Sequence, residues 1–265
     1  MNTEDTAPDQ ATPIKILWQD ATAVVVNKPA GLLVHNSKWA GPKETSLRQL
    51  VARQLGQQVY PIHRLDRPTS GVLLYALTRD AARQWHDQLA SADTHKTYIA
   101  LARGWLAGPM TADHPLKDGN VRRPALTYFQ PLAYCPEERV TLVQAMPRTG
   151  RQHQIRRHLA RTAHQIIGDT TYGKGRINRH FREAYGLHRL FLHAAALDIT
   201  HPVTGQPLRL RAPLPPELLH PLHLLFPEHA VDLLSSVEDF WLHSARMLFP
   251  GTSVQPFFQR RGAFS

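Results

Sequence analysis

The chain predicts a mixed α/β fold. From Ile14 onward, short β-branched runs alternate with turn signals, and between them stand stretches with apolar residues at helical spacing behind good N-cap residues. With 265 residues, 42% of them hydrophobic, the chain can bury the core of one large domain or two small lobes.

The elements follow in order. Ile14-Lys15-Ile16-Leu17 and Ala23-Val24-Val25-Val26 read as two strands joined through Gln19-Asp20, and Asn27-Lys28-Pro29-Ala30-Gly31 ends the pair. Thr45 or Ser46 caps a helix whose Leu47, Leu50, Val51 and Leu55 share one face, with Gly56 as a left-handed stop. Gly71 to Leu77 is a continuous apolar run, as a fully buried strand would be. Thr78 caps the next helix, with Asp80 in its first turn and Ala82, Trp85 and Leu89 inward. Lys96 to Ala102 reads as a strand that points Lys96, Tyr98, Ala100 and Ala102 one way and Thr97, Ile99 and Leu101 the other. Thr127-Tyr128-Phe129 and Val140 to Val143 are further strands, and Leu116 to Pro124 reads as a loop carrying Lys117, Arg122 and Arg123. Thr149-Gly150-Arg151-Gln152 has the form of a capping box opening a helix to about Ala163. Its inward stripe would be Ile155, Leu159 and Ala163, with His153, Arg156, Arg157 and Ala160 on another side. Leu197 to Ile199 and Leu208 to Arg211 flank a turn-rich segment as a hairpin would. Beyond Pro216, leucines suggest a helix interrupted by Pro221, then an amphipathic piece from Val231 to Leu248 and an aromatic-bearing end from Pro250 to Ser265 expected to pack on the body or on a neighbour.

Composition narrows the function classes. Lys and Arg number 31 against 21 Asp and Glu, a formal charge of +10, which suits a polyanionic partner. One cysteine, Cys135, excludes an internal disulfide framework and a cysteine zinc cage and points to the cytoplasm. Met1 to Pro13 has neither the basic nor the apolar region of a signal peptide and reads as a disordered tail, and no apolar stretch approaches a bilayer span. His153, His158 and His164 stand at offsets that do not share a helical face, so no metal is expected there. Walker-type, dinucleotide and HExxH patterns are likewise missing from the sequence, and no cofactor is expected.

The chemistry-bearing run is His63-Arg64-Leu65-Asp66-Arg67-Pro68-Thr69-Ser70-Gly71. It sets one carboxylate between two guanidinium groups, which favours the charged form and equips Asp66 as base or nucleophile at neutral pH. This run resembles the signature of the RluA-type pseudouridine synthases: His-Arg-Leu-Asp, two variable residues, then Thr-Ser-Gly. Further likenesses follow in order: Asn27 to Gly31, Lys96 to Ala100, Gly150 to His158, Ile167 to Gly173 and Leu192-His193-Ala194. Similarity thus covers about Ile14 to Leu214.

The resemblance implies the pseudouridine synthase fold, a mixed, mostly antiparallel sheet flanked by helices with a central active-site cleft. It implies an enzyme that isomerises uridine in RNA, with Asp66 as the essential carboxylate, Tyr98 packed against the target base and Arg156 holding Asp66. Arg64 would fill the space left by the extruded uridine, which must leave its stack to be reached. Arg67, Arg151, His153, Arg157, Lys174 and Arg176 are the expected RNA contacts. Within the family, His63 to Leu74, Arg156 to Ala160 and Gly186 to Leu190 are similar to members acting on a uridine in the T-arm stem of tRNA. Several ribosomal-RNA relatives carry an S4 module, for which the start at Ile14 leaves no room, so tRNA is the expected partner and ribosomal RNA the alternative. The Lys117 to Arg123 loop is shorter than that likeness would have it, and the region after Pro216 has no counterpart.

The expected organisation is a tail over 1–13, a catalytic domain over 14–216 and a helical extension over 217–265 packed on it, acting as a monomer. Two other classes stand beside this one. A non-catalytic RNA-binding protein would not need Asp66, Tyr98 and Arg156 together, and a retaining glycoside hydrolase would need a second carboxylate, for which Asp169 and Asp198 are candidates.

Overall fold

A computed structural model describes residues 13–35 and 45–227. The elements in chain order are β1 (Ile16–Gln19), β2 (Ala23–Lys28), α1 (Leu47–Leu55), β3 (Tyr60–Pro61), β4 (Ser70–Ala76), α2 (Arg79–Ala90), β5 (His95–Arg103), β6 (Met110–Ala112), β7 (Leu116–Asp118), β8 (Val121–Arg123), β9 (Thr127–Cys135), β10 (Val140–Pro147), α3 (Gln154–Arg161), α4 (Gly175–Tyr185), β11 (Leu192–Thr200), β12 (Pro207–Arg211) and α5 (Pro216–Leu225). Ten strands form one sheet in the order β1-β2-β4-β11-β5-β10-β9-β6, with β12 also paired to β11 and β3 to β4. Every pairing is antiparallel except β4 with β11, which run parallel through His193 opposite Ser70 and Ala194 opposite Gly71. The mixed, mostly antiparallel sheet with flanking helices is therefore present.

Strand alternation splits the core in two. On β2, Val24 and Val26 join Leu73, Tyr75, Leu47 and Val51 on the α1 side, while Ala23 and Val25 join Val72, Leu74 and Trp85 on the α2 side. Tyr98 packs partly against the α1-side cluster. The cleft described below thus opens on the face that α1 shares.

Gly71 explains how β4 and β11 lie so close at their paired ends. Its φ is +114°, and a Cβ there would overlap the backbone carbonyl of Ala194. Only glycine combines that backbone with that approach. The signature loop therefore runs directly into the one parallel junction of the sheet.

Several sequence expectations hold in detail. Ser46 and Gln49 form the capping box of α1, and Gly56, at φ +66°, stops it. Thr78 accepts a hydrogen bond from Ala81 N to cap α2, and β11 and β12 form the expected hairpin.

Others are corrected. The first strand begins at Ile16, because the Gln54 side chain takes both backbone groups of Ile14. β9 continues six residues past Phe129 through Pro131, where its ladder with β10 shifts register around the missing N–H. Leu116 to Pro124 is no simple loop, since β7 and β8 pair as a separate hairpin about Gly119. Pro221 does not interrupt α5, which runs through it with Pro221 buried. Lys174 and Arg176, expected only as RNA contacts, are the N-cap and first turn of a helix, α4, that the sequence reading did not include.

The main unit of the chain extends to Leu225 and includes α5. The expected tail over residues 1–12, the amphipathic piece over 231–248 and the end over 250–265 lie outside the described residues.

Candidate active site

Asp66, Tyr98 and Arg156, drawn from a loop, a central strand and a helix, line one cleft of about 340 Å³. Each reaches it for a separate reason.

The Asp66 loop is strapped to the end of β2. Thr69 N donates to Asp66 O, closing a tight turn, and Gly31 N donates to Arg67 O while Arg67 Nε donates to Gly31 O. Lys28, fully buried at the tip of β2, donates from Nζ to the carbonyls of Pro29, Arg67 and Thr69 at 2.8–3.1 Å. Burial pulls its pKa down to about 7, with Arg189 and Arg67 adding to the fall and Asp66 opposing it. Three carbonyl acceptors match the three donors of an ammonium. On the other side, Arg189 Nη2 donates to Pro68 O, Ser70 Oγ and Leu192 O, and Ser70 Oγ stands 2.8 Å from His193 Nδ1.

Tyr98 projects from β5, where its directly paired neighbours are Ala145 on β10 and Ala194 on β11. Cross-strand side chains normally cover each other's faces. Two alanines leave the ring uncovered toward the cleft. Burial, and the nearby Asp66 charge after it, push the phenol pKa up, so the ring acts as a neutral surface.

Arg156 departs most from its sequence reading. The helix does not start at Thr149: Thr149 Oγ1 is engaged with Leu126 N and Gln154 Oε1, and Gln154 Oε1 also accepts from Arg151 N. These bonds tie 149–152 into a turn, so α3 opens at Gln154 with His153 as N-cap at φ +53°. Ile155 and Leu159 are inward as expected, Arg156 and His158 are buried beside them, and Ala163, expected inward, lies past the end of the helix, exposed at φ +64°.

The buried guanidinium joins two carboxylates. Arg156 Nε and Nη2 each donate at 2.8 Å to the two oxygens of Asp169, a bidentate pair, and Nη1 donates to Asp66 Oδ2 at 3.0 Å. Asp169 is sealed from solvent and also accepts from the backbone N–H groups of Thr171 and Tyr172. Burial pushes its pKa up, but the Arg156 and backbone hydrogen bonds outweigh this and hold it below the usual carboxylate value. The Asp66 side chain is 19% exposed, and its Oδ1 accepts no hydrogen bond among the described residues, standing 3.8 Å from His153 Nε2. Burial lowers the His153 pKa, Asp66 opposing and Arg156 reinforcing the fall. The cation that meets Asp66 therefore comes from α3, 90 residues along the chain; it is the Arg156 that the family resemblance implied, and not the flanking Arg64 and Arg67 whose charges the local run also offered.

The remaining expected RNA contacts are distributed. Arg64, Arg151 and His153 line the cleft. Arg157 donates to Lys117 O and lies in an adjoining hollow with Arg122, Arg161 and Tyr172. Lys174 is the exposed N-cap of α4, and Arg176 opens into a different concavity. His153, His158 and His164 go separate ways, to Tyr172, Thr127 and Arg103 O.

Of the glycosidase candidates, Asp169 has every oxygen occupied and Asp198 pairs with Arg211 on the β11–β12 hairpin. Neither lines the cleft. The sequence reading missed the true place of Asp169, although it stands in the Ile167 to Gly173 motif that was noted.

A mixed sheet with a signature loop at its parallel junction, a bare tyrosine and a clamped arginine define an RNA-modifying class. The family described as RNA pseudouridylate synthase matches residues 22–161, and the chain belongs to it. Among curated relatives, tRNA pseudouridine synthase C of Vibrio cholerae is 42% identical over 223 residues, covering 76% of this chain and 91% of that protein. That of Salmonella typhimurium is 42% identical over 222 residues, covering 76% and 85%. Among solved structures, human RNA pseudouridylate synthase domain containing 1 superposes with a TM-score of 0.64 at 26% identity, over 80% of this chain and 89% of that one. Human RNA pseudouridylate synthase domain containing 4 gives 0.64 at 27% identity, over 80% and 92%. The RluA-type resemblance and the pseudouridine synthase fold expected from the sequence are both borne out.

Proposed function

We propose that the protein converts a uridine in the T-arm stem of tRNA to pseudouridine, with the Asp66 carboxylate as the acting group. One observation carries the reading: in the chain Asp66–Arg156–Asp169, Asp169 is saturated while Asp66 keeps an oxygen open to a cleft floored by Tyr98. The tRNA specificity rests on the names of the curated relatives.

In the reaction the C1′–N1 bond breaks, the uracil turns within the cleft, and C5 joins C1′. The proton on C5 leaves and N1 gains one, so no atom or electron is exchanged overall. The uncovered face of Tyr98 takes the extruded base by stacking, and Arg64 at the rim stands where the vacated stack would be. Arg156 fixes the direction of Asp66 and, being bound to Asp169, does not follow the substrate. Two routes use this geometry, addition of the carboxylate to C1′ or abstraction of the C2′ proton through a glycal.

Residues 14–216 serve as the catalytic domain and 217–265 as an extension to it, and the protein works in the cytoplasm, where its tRNA is. The test incubates the protein with transcribed tRNA and, in parallel, with transcribed ribosomal RNA, and reads carbodiimide adducts by primer extension. An adduct site in the T-arm stem of a tRNA whose mass is unchanged before labelling is the expected result. Adducts confined to ribosomal RNA would reject the tRNA assignment, and release of free uracil would reject isomerisation itself.

A further inference from the structure

A second concavity, of about 520 Å³, lies at the far end of α3 from Asp66. Arg103 from the end of β5, Arg139 from the β9–β10 turn and Arg176 from the first turn of α4 converge on it. None of these three guanidinium groups meets an acceptor among the described residues. The nearby carboxylate, Glu138, is already engaged at 2.7 Å by His180 Nε2 and by Tyr185 O–H. Three unpaired arginines around one hollow repel one another, and each is stabilised by an anion.

The backbone points the same way. Among the described residues, three non-glycine residues have left-handed φ: Arg139, His153 and Ala163. His153 lines the cleft, and Arg139 and Ala163 both line this second hollow. Such strained conformations gather at functional surfaces. α4 also lacks an acidic residue in its first turn and has no side-chain cap, leaving its positive end toward Arg176 and Ile177 unneutralised.

We infer that this hollow binds backbone phosphates of the same RNA that places its uridine at Asp66. The inference rests on RNA being the substrate. Arg103 is five residues from Tyr98 along β5, about 17 Å at the rise of a strand and on the other side of its alternation, so an RNA that reaches both passes the end of β5. α3 links the two places: its N-terminal half sets Arg156 and its C-terminal exit sets Ala163 and His164. A long helical RNA would engage both, and a short one only the cleft.

The test compares the full-length protein with its Arg103→Gln/Arg139→Asn double variant, asparagine being tolerant of the left-handed backbone at position 139. Binding to full-length tRNA and to a uridine-centred trinucleotide, too short to leave the cleft, is measured across salt concentrations. The double variant should lose affinity for full-length tRNA and show a salt slope shallower by about 2, one per phosphate contact removed. Its affinity for the trinucleotide should match the parent's. Equal affinity and slope on full-length tRNA would overturn the inference. So would equal affinity with a fall in thermal stability, which would mean that the arginines hold the protein's own chain. If the parent makes no pseudouridine yet the variant still loses tRNA affinity and slope, the proposed function fails while the phosphate site stands.

Discussion

Asp66 and Asp169 share one arginine and have opposite fates. Asp66→Asn keeps the shape of the side chain and leaves the Arg156–Asp169 pair intact. It should therefore abolish pseudouridine formation in the carbodiimide assay while the urea unfolding midpoint stays near the parent value. Arg156→Ala differs in kind, because it leaves Asp169 charged and fully buried without its bidentate partner. Breaking such a pair costs about 3–5 kcal/mol, so this variant should lose both activity and unfolding stability. Asp169→Asn keeps the volume but weakens the clamp. Its activity should fall through a lower kcat with little change in KM for tRNA, since the group it releases positions Asp66 rather than touching RNA.

At the scale of elements, the junction of β4 and β11 is the least forgiving place. Gly71→Ala must escape both a backbone at φ +114° and an overlap with the Ala194 carbonyl. Strain and overpacking together put the loss at about 2–5 kcal/mol, readable as a fall in the urea midpoint. Gly150→Ala is the control from the same cleft. A Cβ there meets nothing within 4 Å and the backbone is not left-handed, so the fold should survive. Arg189 reinforces the junction, joining Pro68, Ser70 and Leu192 to Glu217 of α5. The site is thus held from below by Lys28 and from beside by α5, and a rigid support of this kind is what positioning a reactive carboxylate demands.

For the whole molecule, buried histidines set the response to acid. Burial lowers the pKa of His158 and His193 to about 4, with His114 adding to the fall at His158 and Ala212 O opposing it at His193. Both are fully buried. The unfolded chain binds protons near pH 6.5 and the folded one only near pH 4, so stability is full above pH 6.5 and falls as pH drops through that window. Each contributes up to about 3 kcal/mol. Urea midpoints taken from pH 7.5 to pH 4.5 should decline steadily, and a flat profile above pH 5 would contradict the burial of these rings.

Much of this was legible before folding. The capping residues of α1 and α2, the buried run of β4 and the His63 to Gly71 signature are local patterns, and each depends on neighbours in sequence. The start of α3 was misread because Thr149-Gly150-Arg151-Gln152 satisfies a local rule, whereas Leu126, just before β9, donates its N–H to the Thr149 hydroxyl oxygen. The partner of Arg156 was hidden for a related reason: Asp169 lies 13 residues away, beyond any helical spacing. The chain by itself determined the family, the fold class and the identity of the reactive carboxylate's loop, since these are carried by short motifs whose chemistry is local. Tertiary structure alone decided that Asp169 is the sealed second carboxylate on Arg156 and which arginines are left without a partner among the described residues, because charge pairing depends on distances across the sheet that sequence order does not encode.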